Sequence, residues 1–136
     1  MIGVGNAARG DDAAGLLAAR AVGGVELEGD PSALLDLFDG LDSAVVVDAV
    51  RSGAAAGTVQ RFDAAGGPLP TAIRSSTSTH LVGIADAIEL ARALDRLPPR
   101  VTVYAIEGER FDLGAPVSPA VAAAVDAVVA ELTAAR

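Results

Sequence analysis

Cysteine is absent from the 136-residue chain, and so is lysine. Without cysteine there can be no disulfides and no thiolate metal sites, which leaves histidine, aspartate and glutamate as the only strong metal ligands. Histidine itself occurs once, at position 80. Without lysine no ammonium group can act in catalysis; all ten basic residues are arginine. Eighteen acids outnumber them, giving a formal net charge of -8 and a pI near 4.4. That balance argues against nucleic acid or an anionic membrane as a partner, since both call for basic patches. Hydrophobic residues make up 51% of the chain and mean hydropathy is +0.45. Even so, no apolar run approaches the ~20 residues needed to span a bilayer. No basic segment followed by an apolar core is visible either, so a cytoplasmic location is expected.

What is present in excess is alanine and valine, which signals helices packed on a buried sheet. The length suits one domain that buries roughly two-thirds of its unfolded surface. Strands and helices alternate along it. Ile2–Gly5 reads as a first strand, and residues 12–22 as a helix stopped by Gly23-Gly24. Val25–Glu28 alternates apolar and acidic side chains, as an edge strand does. A short helix over residues 31–38 starts at Pro31. Ser43–Val50 holds the β-branched run Val45-Val46-Val47, expected to form a central parallel strand buried on both faces and closing at Asp48. Residues 58–62 read as another strand, 63–78 as a long loop, and 79–97 as a helix with Ile84, Ile88, Ala91 and Leu94 on its apolar stripe. Arg100–Glu107 is a further strand. Ser118 and Pro119 are an N-cap and first position for a last helix, striped by Val121, Val125, Val128 and Leu132. The order implies an α/β domain with three α/β/α layers. Ligands of such sheets lie beyond the carboxyl ends of parallel strands.

Three residues fall at that edge. Gly3-Val4-Gly5 turns the chain sharply, and Asp11-Asp12 then precede an apolar helix. Acids in a first helical turn meet free N–H groups and the positive dipole end, so capping alone would explain them. The alternative is that one of the pair faces a crevice. If that one is Asp12, Asp11 should face the helix N-terminus or solvent, because adjacent helical residues diverge by about 100°. Asp48 is either a strand-end cap or a carboxylate held near a buried sheet by a partner. His80, closing Arg74-Ser75-Ser76-Thr77-Ser78-Thr79, is either a surface histidine or a ligand. Taken together they supply two carboxylates and one imidazole, a set suited to a borderline divalent ion such as Ni²⁺ or Zn²⁺. No HExxH, GxSxG or P-loop lysine motif is present. Acids where a pyrophosphate would sit also disfavour a dinucleotide at the Gly-x-Gly turn.

Gly3-Val4-Gly5-Asn6, Gly10-Asp11-Asp12, Asp48-Ala49 and Ser78-Thr79-His80-Leu81-Val82-Gly83 are together similar to the hydrogenase maturation endopeptidases. Ala105-Ile106-Glu107, Gly114 and Val117-Ser118-Pro119 resemble that family's closing segment, so the likeness runs over nearly the whole chain. It implies one maturation-peptidase domain over residues 1–136, with a five-stranded, mostly parallel (mixed) sheet of phosphorylase/hydrolase-like type and helices on both faces. It further implies a monomeric cytoplasmic endopeptidase that trims the C-terminal extension of a nickel-iron hydrogenase large-subunit precursor. Nickel carried by that precursor would be the recognition mark, with zinc or another divalent ion able to substitute in vitro. The family's metal-contacting and catalytic positions fall on Asp12, Asp48 and His80. Water activated by a carboxylate or by the metal would then cut the nearby peptide. Ala13 stands where the family usually has glycine, and Ala56-Gly57 where it has Pro-Gly. The reading from another class is a non-catalytic metal-binding or chaperone-like module on the same fold.

Overall fold

The computed structural model describes residues 1–70 and 83–135. Five strands, β1 (Ile2–Gly5), β2 (Val25–Glu28), β3 (Ser43–Val50), β4 (Val59–Asp63) and β5 (Arg100–Glu107), form one sheet in the order β2-β1-β3-β5-β4. Only β4 runs antiparallel, against β5 at the sheet's far edge. Among the described residues four α-helices cover the faces: α1 (Ala14–Val22), α2 (Leu34–Phe38), α3 (Ile84–Ala93) and α4 (Pro119–Ala134). Successive strand side chains point to opposite faces. Val46 and Val50 of β3 and Val101 and Val103 of β5 therefore join Leu34, Phe38, Ile84 and Ile88 in one core. Val47, Ala49, Tyr104 and Ile106 join Ala14, Ala18, Val121 and Val125 in the other. The three-layer mixed α/β architecture is as the alternation of elements implies.

Several boundaries differ from the local reading. A 3₁₀ turn, Gly10–Ala13, precedes α1, so Asp12 belongs to the turn and not to the α-helix. β3 continues to Val50 because it pairs with β5 along its whole length, and Asp48 sits within the strand rather than at its end. Helix α3 starts at Ile84 after an extended Gly83 and stops at Ala93. Its end is set by Asp95, whose φ of 57° turns the chain before Pro98 is reached. Leu94 consequently leaves the apolar stripe and is 53% exposed.

Helix α1 lies with its main chain directly on the sheet. A Cβ on Gly3 would overlap the Gly15 carbonyl oxygen, and one on Gly5 the Asp12 carbonyl oxygen. One on Gly15 would overlap the carbonyl oxygens of Val4 and Val47. Contrary to expectation, Gly3 and Gly5 lie within β1 and not in a turn; their missing side chains admit the protein's own backbone, and this contact sets the height at which Asp12 stands above the strands.

Asp11 does not face solvent or the helix N-terminus, contrary to expectation; it is fully buried. Its carboxylate crosses to the connection between β5 and α4. Oδ2 accepts the N–H groups of Glu109 at 2.8 Å and Arg110 at 2.9 Å, and Oδ1 accepts that of Ser118 at 2.7 Å. The Ser118 hydroxyl also donates to it, at 2.9 and 3.0 Å. Ser118 does occupy the N-cap of α4, but its hydroxyl serves Asp11 instead of the helix. The reason is a better acceptor: an ionised carboxylate makes stronger hydrogen bonds than a neutral group. Burial by itself would raise the Asp11 pKa. The N–H groups of Glu109, Ser118 and Arg110 and the serine hydroxyl together outweigh it and hold the group below the ordinary carboxylate value.

Two predictions come from these contacts. Gly15→Ala should lower stability by about 1–3 kcal/mol or more in chemical denaturation, because rigid backbone must move to admit the methyl. Wild-type stability in that variant would mean that α1 lifts freely from the sheet. Asp11→Asn points an amide NH₂ at groups that are themselves donors, and at pH 7 should cost about 2–3 kcal/mol. The folded-state pKa is lowered, so the Asp11 contribution is complete above the unfolded value of about 3.9 and is lost as pH falls below it. The stability gap between wild type and Asp11→Asn should therefore be constant near neutrality and narrow in acid. A gap insensitive to acid would contradict the charged role.

Candidate active site

The connection leaving β1 runs to β2 on one side of the sheet, while that leaving β3 runs to the β5-β4 side. Such a reversal opens a crevice above the carboxyl ends of the two strands, here β1 and β3. Asp12 and Asp48 stand on its two walls. Asp12 comes from the 3₁₀ turn after β1, is 8% exposed, and is anchored through its carbonyl, which accepts the Asn6 N–H at 3.2 Å. Asp48 lies beside Ala105 in the β3–β5 register and shares the face of Val46 and Val50. Its Oδ1 accepts the neighbouring Ala49 N–H at 2.8 Å.

The two carboxyl groups interact. Burial raises the Asp48 pKa well above the ordinary carboxylate value, the negative charge of Asp12 raises it further, and the Ala49 N–H opposes them only in part. Two like charges forced together in a crevice are relieved either by a shared proton or by a cation. Titratable groups perturbed by burial and by a specific partner concentrate at functional sites. His80 lies outside the described residues. Among the described residues no group of three His, Asp or Glu side chains could hold a metal ion. The two carboxylates are hard oxygen donors that fit a cation contributed with other ligands.

Sequence reasoning missed the carboxylates that build the rim. Asp11 was expected to face the helix N-terminus or solvent, and Glu107 was noted only within a motif. Glu107 closes β5 with 3% exposure and holds the connection between β3 and β4. Its carboxylate accepts the Ser52 N–H at 2.9 and 3.2 Å, the Ser52 hydroxyl at 2.5 Å and the Gly53 N–H at 3.4 Å. Its backbone N–H donates to the Thr58 carbonyl and its own carbonyl accepts the Gly57 N–H, both at 2.8 Å. The signal for Glu107 was the one that singled out Asp48: a carboxylate in an otherwise apolar strand. Of the two departures from the family pattern, Ala13 is buried under the turn, and Ala56 leads into Gly57, which keeps a left-handed φ of 85°.

A family model described as hydrogenase maturation protease matches residues 28–135, a stretch that includes Asp48 and Glu107. No curated protein sequence matches the chain. Among solved structures, the hydrogenase maturating endopeptidase HybD of Escherichia coli superposes with a TM-score of 0.79 at 23% identity, over 98% of this chain and 88% of that one. The [NiFe] hydrogenase maturation protease HybD of Thermococcus kodakarensis gives 0.72 at 28% identity, over 97% and 94%. The maturation protease HycI of the same organism gives 0.72 at 19% identity, over 96% and 86%, a likeness of fold. With the family model covering most of the chain and this fold beneath it, the chain belongs to the hydrogenase maturation protease family and is a peptidase.

Proposed function

We propose that this protein removes the C-terminal extension of a nickel-iron hydrogenase large-subunit precursor once nickel has been inserted, and that it reads the metal in doing so. The observation that carries the reading is the Asp12–Asp48 pair at the switch point, where the charge of one carboxylate perturbs the other. A cation arriving on the precursor relieves that repulsion, so a metal-loaded substrate gains an interaction that an empty one lacks. His80, close in sequence to the start of α3, completes the ligand set in this proposal, and the precursor supplies the remaining ligands. The protein acts as a monomer of one domain in the cytoplasm, where precursor maturation takes place.

Asp48, whose pKa is raised by burial and by the Asp12 charge, suits the role of general base. It accepts a proton from water, the resulting hydroxide attacks the scissile carbonyl, and the amine leaves with a proton returned from the acid. A positioned base contributes roughly 10²–10⁴-fold. Asp12 serves as a ligand to the cation. Neither role requires a resident metal, and the paired carboxylates bind free ions only loosely.

Cleavage of nickel-loaded precursor, followed by mass, should fall about 10²-fold or more for Asp48→Asn, which keeps the shape but loses the base. Asp12→Asn and His80→Ala should also abolish processing while leaving thermal stability close to wild type. Full activity in Asp48→Asn would remove it from the chemistry, and an active Asp12→Asn beside an inactive Asp11→Asn of wild-type stability would show that the other acid of the pair faces the substrate. Metal gives a separate test. Structural metal sites tie folding to the ion, whereas a site completed by the substrate does not. Melting with and without a chelator should therefore give the same midpoint, with Ni²⁺ or Zn²⁺ binding weak and reversible; a large drop on chelation would mean a resident structural ion.

A further inference from the structure

One exposed side chain, Arg51, stands between the two segments that the buried carboxylates of the rim, Glu107 and Asp11, hold in place. It follows β3 directly, three residues past Asp48. Ser52 and Gly53, the next residues, are bound to the Glu107 carboxylate, and the Val50 carbonyl before it accepts the Gly108 N–H at 3.0 Å. Its guanidinium lies over the Phe111 ring, 4.4 Å from the centroid. Phe111 packs against the α1–α4 core, and the N–H groups of the two residues before it are held by Asp11. Arg51 is thus fixed from below on both sides while remaining exposed.

Like Arg9, Arg100 and Arg110, Arg51 stands outside the ion pairs of the described residues, and what sets it apart from those three is its seat on Phe111. Arg20, Arg61, Arg92 and Arg96 each meet a carboxylate within 3.2 Å. Arg51 makes no ion pair among the described residues, although Glu109 and Asp112 are exposed on the same connection as Phe111. Stacking occupies one face of a guanidinium and leaves its edge N–H groups free, in the planar fork that matches a carboxylate.

From this geometry we infer that Arg51 is a specificity residue of the crevice rim, receiving a carboxylate of the precursor beside the bond to be cut. The inference rests on the proposed function for the nature of the substrate. The carboxylate comes from an acidic side chain of the precursor or from its C-terminus; both present the same two oxygens.

The test is steady-state cleavage of nickel-loaded precursor by wild type, Arg51→Ala and Arg51→Lys, together with precursor affinity measured on an Asp48→Asn background. Arg51→Ala should raise KM and Kd about tenfold, as expected for one charge-assisted contact. Its kcat should stay within about twofold of wild type, since the contact is uniform binding and not part of the bond-breaking step. Arg51→Lys, which keeps the charge but not the stacked fork, should fall between the two. Wild-type KM should rise with salt more steeply than that of Arg51→Ala. Precursor with an amidated C-terminus, and precursor with extension acids changed to amides, identify the source: whichever carries the carboxylate should weaken wild type and leave Arg51→Ala unaffected. Unchanged KM, Kd and salt dependence in Arg51→Ala would overturn the assignment, and so would a loss confined to kcat. If wild type binds precursor without cutting it, the proposed function falls and Arg51 is judged on Kd alone; if it neither binds nor cuts, both fall.

Discussion

A single buried carboxylate, that of Asp11, holds together parts of the chain that are nearly a hundred residues or more apart. Its bonds to Glu109, Arg110 and Ser118 join the turn after β1 to the connection after β5. A buried charge is costly unless it is fully hydrogen-bonded, and this one receives donors on both oxygens. The arrangement is therefore all or none. If the two segments part, the carboxylate must be rehydrated or protonated, and the wall that carries Asp12 moves with it. Glu107 repeats the device on the other wall, where it ties the end of β5 to the connection after β3.

The acids of the crevice consequently divide by environment and not by type. Asp11 and Glu107 have their oxygens turned into loop backbone and spend their charge on architecture. Asp12 and Asp48 lie close enough for the charge of Asp12 to raise the pKa of Asp48. A peptidase of this kind needs a rigid frame, because a base misplaced by an ångström loses much of its effect.

Much of the fold was legible in the sequence because its signals are local. The β-branched run of β3, the glycine stop after α1 and the Ser118-Pro119 start of α4 each report on a few neighbouring residues. Asp48 was legible for a related reason, as a charged residue in an apolar strand. Asp11 was not, since what buries it is Ser118, 107 residues away. Side-by-side acids look alike until the partner is known. The same remoteness misdirected Ser118, placed correctly at the helix start but with its hydroxyl turned to Asp11. The early end of α3 had another cause: the left-handed turn at Asp95 leaves no mark as clear as the prolines that follow it.

The glycine contacts between α1 and the sheet bear on how such a chain can diverge. Where a helix is seated by side chains, replacing them shifts the helix and whatever it carries. Here Gly3, Gly5 and Gly15 seat it through main-chain atoms, which are the same whatever the neighbouring residues. Side chains of the helix that do not touch the sheet can change without displacing the acid turn. A chain seated in this way can change much of its sequence and still hold the acid turn at one height above the strands. The cost is concentrated at three positions, where even one added methyl group is not absorbed.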